Sequence, residues 1–265
     1  MLPTWNVDLD VYGPITIKRV INFKQRKELN YHDRLYSNIE INKNGRHGVK
    51  ITVTAFSNEL IYAKKAALYF VGQAIDTLSF AINLPIYLSY TENRMSTPKI
   101  EEVRRIIADE EWIRAFKDAR LYNLTEPTFL RALGWYRKGL CSDDPFDKFL
   151  AFWNSIETIT SKYNPNKAVC GDRGSKCHIW ECFKAVWGEV QNWKVIPNQD
   201  LWIDQNYDTR KDIAHGIASI DIEVIEQIIP KIEVINEVAF EFIKDWKENR
   251  LNPNVTPEIK EKLIR

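Results

Sequence analysis

Asp144-Pro145-Phe146-Asp147-Lys148-Phe149-Leu150-Ala151-Phe152-Trp153 opens the stretch that decides the fold. An aspartate followed by proline and a second acid is a helix start: Asp144 accepts from the first turn's N–H groups, Pro145 needs no partner, and Asp147 suits the positive end of the dipole. The apolar residues then recur every three or four positions through Phe146, Phe149, Leu150, Trp153, Ile156 and Ile159. That spacing predicts a helix to about Tyr163 with one buried face.

Working outward, the same periodicity continues on both sides. Thr125 with Pro127 opens a helix through Leu140. The segment Asn164–Lys176, with two Gly, one Pro and two Asn, reads as a loop. Helical patterns resume over Ile179–Val190 and from Trp202 to Ala214. A last pattern runs from Asp221 to Asn249 through Ile225, Ile228, Ile232, Ile235, Ala239, Phe242 and Trp246, and Pro230 predicts a kink in it. Residues 123–250 therefore predict a four- or five-helix bundle, and 251–265 a frayed helical tail.

Upstream the period changes. Ile15, Ile17 and Val20–Phe23 suggest a first strand after Gly13-Pro14. Ile39 and Ile41 alternate with polar residues, Asn44-Gly45 gives a turn, and Val49, Ile51, Val53 and Ala55 alternate again, which predicts a hairpin. Ser57 is the expected cap of a helix through Leu60, Ala67, Leu68, Val71, Ala74, Ile75, Leu78 and Ile82, stopped by Pro85. Ile86, Leu88 and Tyr90 suggest a short strand, and Lys99–Tyr122 one or two amphipathic helices. The fold class expected is α+β, mostly α: an α+β region over residues 1–122, then the bundle.

Composition narrows the function classes. Of 265 residues, 45% are hydrophobic, 28% charged and 12% aromatic, with 9 Trp, which belongs to a chain that buries much of itself. The 37 Lys+Arg against 36 Asp+Glu leave a net charge of +1, so a nucleic-acid site must be a local patch. Gln73, Asp76, Asn83 and Pro85 interrupt the most apolar stretch, Ala66–Leu88, which reads as a buried helix and not a membrane span. No basic-then-apolar leader opens the chain, and 4 Cys without one point to a cytoplasmic protein with free or metal-bound thiols.

Two constellations can carry chemistry. Of 4 His, His32 and His47 lie in polar connections near turns, whereas His215 ends the run Arg210-Lys211-Asp212-Ile213-Ala214-His215-Gly216. Gly216 is a natural C′ residue, which places His215 at the negative end of a helix. Arg210 lies five residues earlier, about 140° around an ideal helix, so the two side chains meet only by the reach of Arg or across two copies of the helix. A purely structural role is the alternative: His215 caps carbonyls, and Arg210 pairs with Asp208 or Asp212. The second constellation is Cys170, Cys177, His178 and Cys182, in Cys-x6-Cys-His-x3-Cys. Three thiolates and an imidazole suit a structural tetrahedral zinc; buried thiols are the alternative. Lys162, Lys167, Arg173 and Lys176 make this segment basic, as an RNA-backbone contact or a solvated loop. Trp135, Tyr136, Trp153, Trp180 and Trp187 fall at helical spacing and read as core.

Arg210-Lys211-x3-His215-Gly216, late in a helical bundle, resembles the R-x4–6-H motif of the HEPN superfamily, and Lys211 fits the polar position after the arginine. Ala132-Leu133-Gly134-Trp135-Tyr136-Arg137-Lys138-Gly139-Leu140 and the Asp144–Trp153 stretch resemble helices of ApeA-like and MauJ-like HEPN proteins. The resemblance spans Thr125–Trp246. It implies a homodimeric, cytoplasmic endoribonuclease that needs no cofactor, with two motifs across one cleft, Arg210 and His215 catalytic and Lys211 supporting on the RNA. It also implies a role in antiphage defence or as a toxin, with an antitoxin or effector partner. Two other readings stand beside it: a catalytically silent HEPN assembly subunit, and a small-molecule pathway accessory like the MauJ-like proteins.

Overall fold

The computed structural model describes residues 3–29, 34–45, 48–89, 103–171, 174–216 and 222–264. The chain is an α+β protein that divides into two compact units, one of residues 1–126 with 254–265 and one of residues 127–253.

The first unit is built on a five-stranded antiparallel sheet in the order β3-β4-β5-β1-β6, from β1 Thr4–Tyr12, β3 Ile21–Leu29, β4 Arg34–Lys43, β5 Val49–Phe56 and β6 Tyr87–Leu88. The predicted hairpin is β4–β5, with Ile41 opposite Ile51 and Ile39 opposite Val53. Gly48 closes it at φ +122, where an added Cβ would strike the Val11 carbonyl. The expected first strand is corrected in its first half: Ile21–Phe23 do open a strand, β3, but Ile15 and Ile17 are not part of it. Ile15–Thr16 is a two-residue β2 paired in parallel with β7 Arg105–Ile106, Val20 is exposed, and the strand that matters, β1, lies before it. Val7, Leu9 and Val11 of β1 are buried while Asn6 and Asp8 face out. Those poor strand formers are satisfied across the sheet, Thr52 Oγ1 donating to Asp8 and Thr54 Oγ1 to Asn6.

The apolar face of the sheet is covered by α1 Leu60–Ile82 through Ala63, Ala66, Ala67, Phe70, Val71, Ala74 and Ile75; alanines permit close approach. Its N-cap is Glu59, and Ser57 instead accepts the Glu59 N–H at 3.4 Å, one step before the helix. Asn83, at φ 51, ends it, with the Asn83 and Leu84 N–H groups returning to Phe80 and Ser79. The charged segment that follows contains β7 and one described helix, α2 Asp109–Thr125, whose Trp112, Ala115, Phe116 and Ala119 enter the same core. The expected frayed tail is also corrected: Pro257–Ile264 forms α9, and Arg120 of α2 donates to the Leu263 carbonyl at 3.4 Å. No helix among the described residues is long and apolar enough to cross a membrane.

The second unit is helical: α3 Pro127–Cys141, α4 Pro145–Tyr163, a short α5 Lys167–Cys170, α6 Gly174–Trp187, α7 Trp202–Ala214 and α8 Ile222–Asn249. Asp144 caps α4 as expected, its side chain accepting from the Asp147 N–H at 2.9 Å. Helix α4 packs against α3, α6, α7 and α8. Its buried face is Phe149, Phe152, Trp153, Ile156 and Ile159; Phe146 and Leu150 are only half-buried at its border. Gly139 of α3 meets the Phe152 ring, which leaves no room for a side chain. Helix α8 continues through Pro230 and buries Ile228, Ile235, Ala239, Phe242 and Trp246. An aromatic cluster closes this core, with Phe183 4.8 Å from Phe242, 4.9 Å from Trp187 and 5.3 Å from Trp193. Tyr136, Trp153 and Trp187 are buried in it, as core residues and not base-stacking platforms.

Candidate functional site at the end of α7

Helix α7 buries Trp202, Ile203 and Asn206, a stripe that Tyr207 and Arg210 continue at spacings of three and four. Trp153 of α4 lies 6.2 Å from Trp202 and 6.4 Å from Tyr207, which seats the helix. The stripe carries Arg210 inward, where its Nη2 meets the carboxylate of Glu157 on α4 at 3.4 Å. The side chains are 28% and 17% exposed. Arg210 Nε is shut off from solvent and has no acceptor. A buried guanidinium donor left unmade is costly, so this cation is only partly satisfied by Glu157. Neither Asp208 nor Asp212 is its partner; Asp208 is taken by Lys176 of α6.

The helix ends as its glycine dictates. His215 is the C-cap, its N–H bonding to the Lys211 carbonyl at 3.0 Å, and Gly216 follows at φ +64. Lys211 and His215 are exposed, and the His215 ring makes no hydrogen bond with the described residues. The structure thus carries Arg210 and His215 on one helix but does not join them: the first turns inward and the second outward. At the residue before Arg210, Lys231 of α8 donates to Thr209 Oγ1 at 2.7 Å and ties α8 to α7. Glu157 and Lys231 escaped the reading of the sequence. Glu157 had a signal, an acid four residues after Trp153 at the edge of a buried stripe; Lys231, after Pro230, had none.

The cysteine segment is arranged differently from a zinc set. Cys170 of α5 and Cys177 of α6 form a disulfide, with Cα atoms 5.5 Å apart, so neither is a thiolate ligand in this state. Cys182 sits one turn on in the interior, its Sγ toward the Thr160 carbonyl at 3.9 Å, and burial pushes its thiol up to about 12. Among the described residues no group of three potential metal ligands converges. Asn164 organises what remains: its Nδ2 lies 2.7 Å from His178 Nδ1 and 3.4 Å from Cys170 Sγ, while its Oδ1 accepts the Asn166 N–H. Of the basic residues, Lys176 is spent on Asp204 at 2.8 Å and Asp208 at 3.4 Å, and Lys162 and Lys167 are exposed. The hydrogen bond from Lys176 to Asp204 holds its ammonium pKa above the ordinary value. His32, His47 and Arg173 lie outside the described residues.

Comparison with known proteins returns no matching family model, no matching curated protein and no matching solved structure.

Proposed function

We propose that the helical unit is a HEPN-type endoribonuclease that cleaves RNA without a metal ion, as a homodimer. The observation that supports it is the end of α7: a guanidinium held by one acid and with its Nε unmade, followed at the helix end by an exposed imidazole that makes no hydrogen bond with the described residues. RNA supplies its own nucleophile in the 2′-OH. A site then needs a proton acceptor or donor, the role of His215, and positive charge on the phosphorane, the role of Arg210 through its fork of donors. Lys211 contacts a neighbouring phosphate. Attack of the 2′-oxygen leaves a 2′,3′-cyclic phosphate and a 5′-OH end. Because Arg210 and His215 diverge by about 140°, two copies of α7 complete one cleft. Growth arrest by RNA cleavage, in antiphage defence or as a toxin held by a partner, is the role this activity suits.

One observation favours a second reading, a silent binding or assembly module: Arg210 already has Glu157, and its Nε is closed to any ligand in this state. Incubating the protein with total RNA in EDTA, and analysing fragment ends, separates the two. Cyclic-phosphate ends that vanish in His215→Ala support the nuclease. Cleavage that is lost in EDTA and returns with Mg²⁺, or that survives His215→Ala at an unchanged rate, overturns it.

A further inference from the structure

We infer that Cys170 and Cys177 form a reversible dithiol–disulfide couple that sets the order of the α6–α7 contact. The pair closes a short turn between α5 and α6, and its two ends differ in access. Cys170 is 1% exposed, whereas Cys177 is half-buried. Cys177 is the more accessible end, so we assign attack by a thiolate from solvent to its Sγ, with Cys170 as the leaving sulfur. That sulfur is prepared for charge: the Asn164 side-chain amide donates to it, with its second N–H directed at His178 Nδ1 and its oxygen held by the Asn166 N–H. Asn164 is itself buried and cannot turn away without losing all three bonds.

The exchange balances with a reductant of the dithiol class, thioredoxin-like or dithiothreitol. Its thiolate attacks Cys177 Sγ, the bond between the two protein sulfurs breaks, and the electron pair leaves on Cys170 Sγ, which takes up the proton the reductant lost. The reductant's second thiol then attacks the mixed disulfide, freeing Cys177 as a thiol and leaving the reductant as a cyclic disulfide. Two electrons and two protons pass to the protein.

The consequence lies in the neighbour of Cys177. Lys176 bridges Asp204 and Asp208 of α7, and its Nζ stands 4.8 Å from the Tyr207 ring centroid. With the disulfide closed, the first turn of α6 is tied at Cys177 and holds α7 through Lys176, one turn before Arg210. With it open, the covalent tie is gone, that turn is held to α7 only by the partly solvated Lys176 contacts, and α7 has a less firmly fixed neighbour. The link to RNA cleavage rests on the nuclease reading; the couple itself does not.

The test equilibrates the full chain in reduced and oxidised dithiothreitol and follows four signals. Alkylation in denaturant should count two thiols in the oxidised form, Cys141 and Cys182, and four in the reduced form. Amides of α7 should exchange severalfold faster in the reduced form, and its Tm should fall by about 5 °C. Cys177→Ser should show three thiols and match the exchange and Tm of the reduced form in both buffers. RNA cleavage should differ between the two forms. Thiols that stay free in the oxidised buffer, or a bond that survives the reduced buffer in the native protein, would overturn the couple. Equal α7 exchange in both forms would overturn the coupling, and one zinc per reduced chain would make these sulfurs metal ligands instead. If neither form cleaves RNA, the nuclease reading fails, and the couple is judged on the other three signals.

Discussion

Two ion pairs in the helical unit look alike in outline and differ in completeness. Asp245 of α8 is 7% exposed and receives the Trp187 indole N–H at 2.8 Å and the Lys194 ammonium at 2.7 Å. Glu241 adds a second acid for Lys194, and Lys244 a second cation for Glu241. Burial alone would raise the Asp245 carboxyl; hydrogen bonds from Lys194 and Trp187, with the charges of Lys194 and Lys244, outweigh it and hold the pKa below the ordinary value. The network is closed, and it fastens a loop in which Val195 is kept at φ +71 between buried Trp193 and Ile196. Arg210 and Glu157 make a single long contact with a guanidinium nitrogen left over. The first network is saturated and adds stability; the second leaves Nε unmade and shut off from solvent, so Arg210 can serve RNA only where its contact with Glu157 opens.

Removing His215 has the largest expected effect. His215→Ala should lower RNA cleavage by about 10²–10⁴-fold, the size of a general acid–base contribution, while Tm stays within a degree or two because an exposed helix-end histidine contributes only about 0.3–1 kcal/mol. Arg210→Ala should remove cleavage as well. An assay of fragment yield beside a melting curve reads both.

Next in size is the closed network. Asp245→Ala strands the buried Trp187 N–H and should cost about 2 kcal/mol, lowering Tm by about 4–8 °C without touching cleavage. Glu157→Gln should cost about 1 kcal/mol or less, since its pair is partly solvated and poorly made. If the two losses prove equal in chemical denaturation, Arg210 is held for stability and the contrast collapses.

The pH dependence follows the same division. The folded Asp245 pKa is depressed, so its contribution is complete above the unfolded carboxylate range and is lost as pH falls through the folded value. Acid titration of the melting curve should show this loss in wild type and a flatter profile in Asp245→Asn. The smallest effect is reserved for Lys211. Lys211→Ala should weaken RNA cleavage modestly, and the deficit should shrink as salt rises, as for a phosphate contact; a salt-independent deficit would assign it to chemistry instead.

What could be read from the chain divides along one physical line. Periodicity and capping act within a few residues, so α4 from Asp144, the end of α7 at Gly216 and the β4–β5 hairpin at Asn44-Gly45 were legible. Strand β1 was not, although Val7, Leu9 and Val11 alternate, because Asn6 and Asp8 look like loop residues until Thr54 and Thr52 stand opposite them. Residue type and spacing single out the candidates for chemistry: one histidine at a helix end, an arginine five positions before it, and three cysteines within thirteen residues. Their partners come from packing, which draws Arg210 to Glu157 across fifty-three residues, joins Cys170 to Cys177 and leaves Cys182 in the core. A side chain's partner depends on which faces of which helices meet, and that is set by packing over the whole unit and not by any local run of residues.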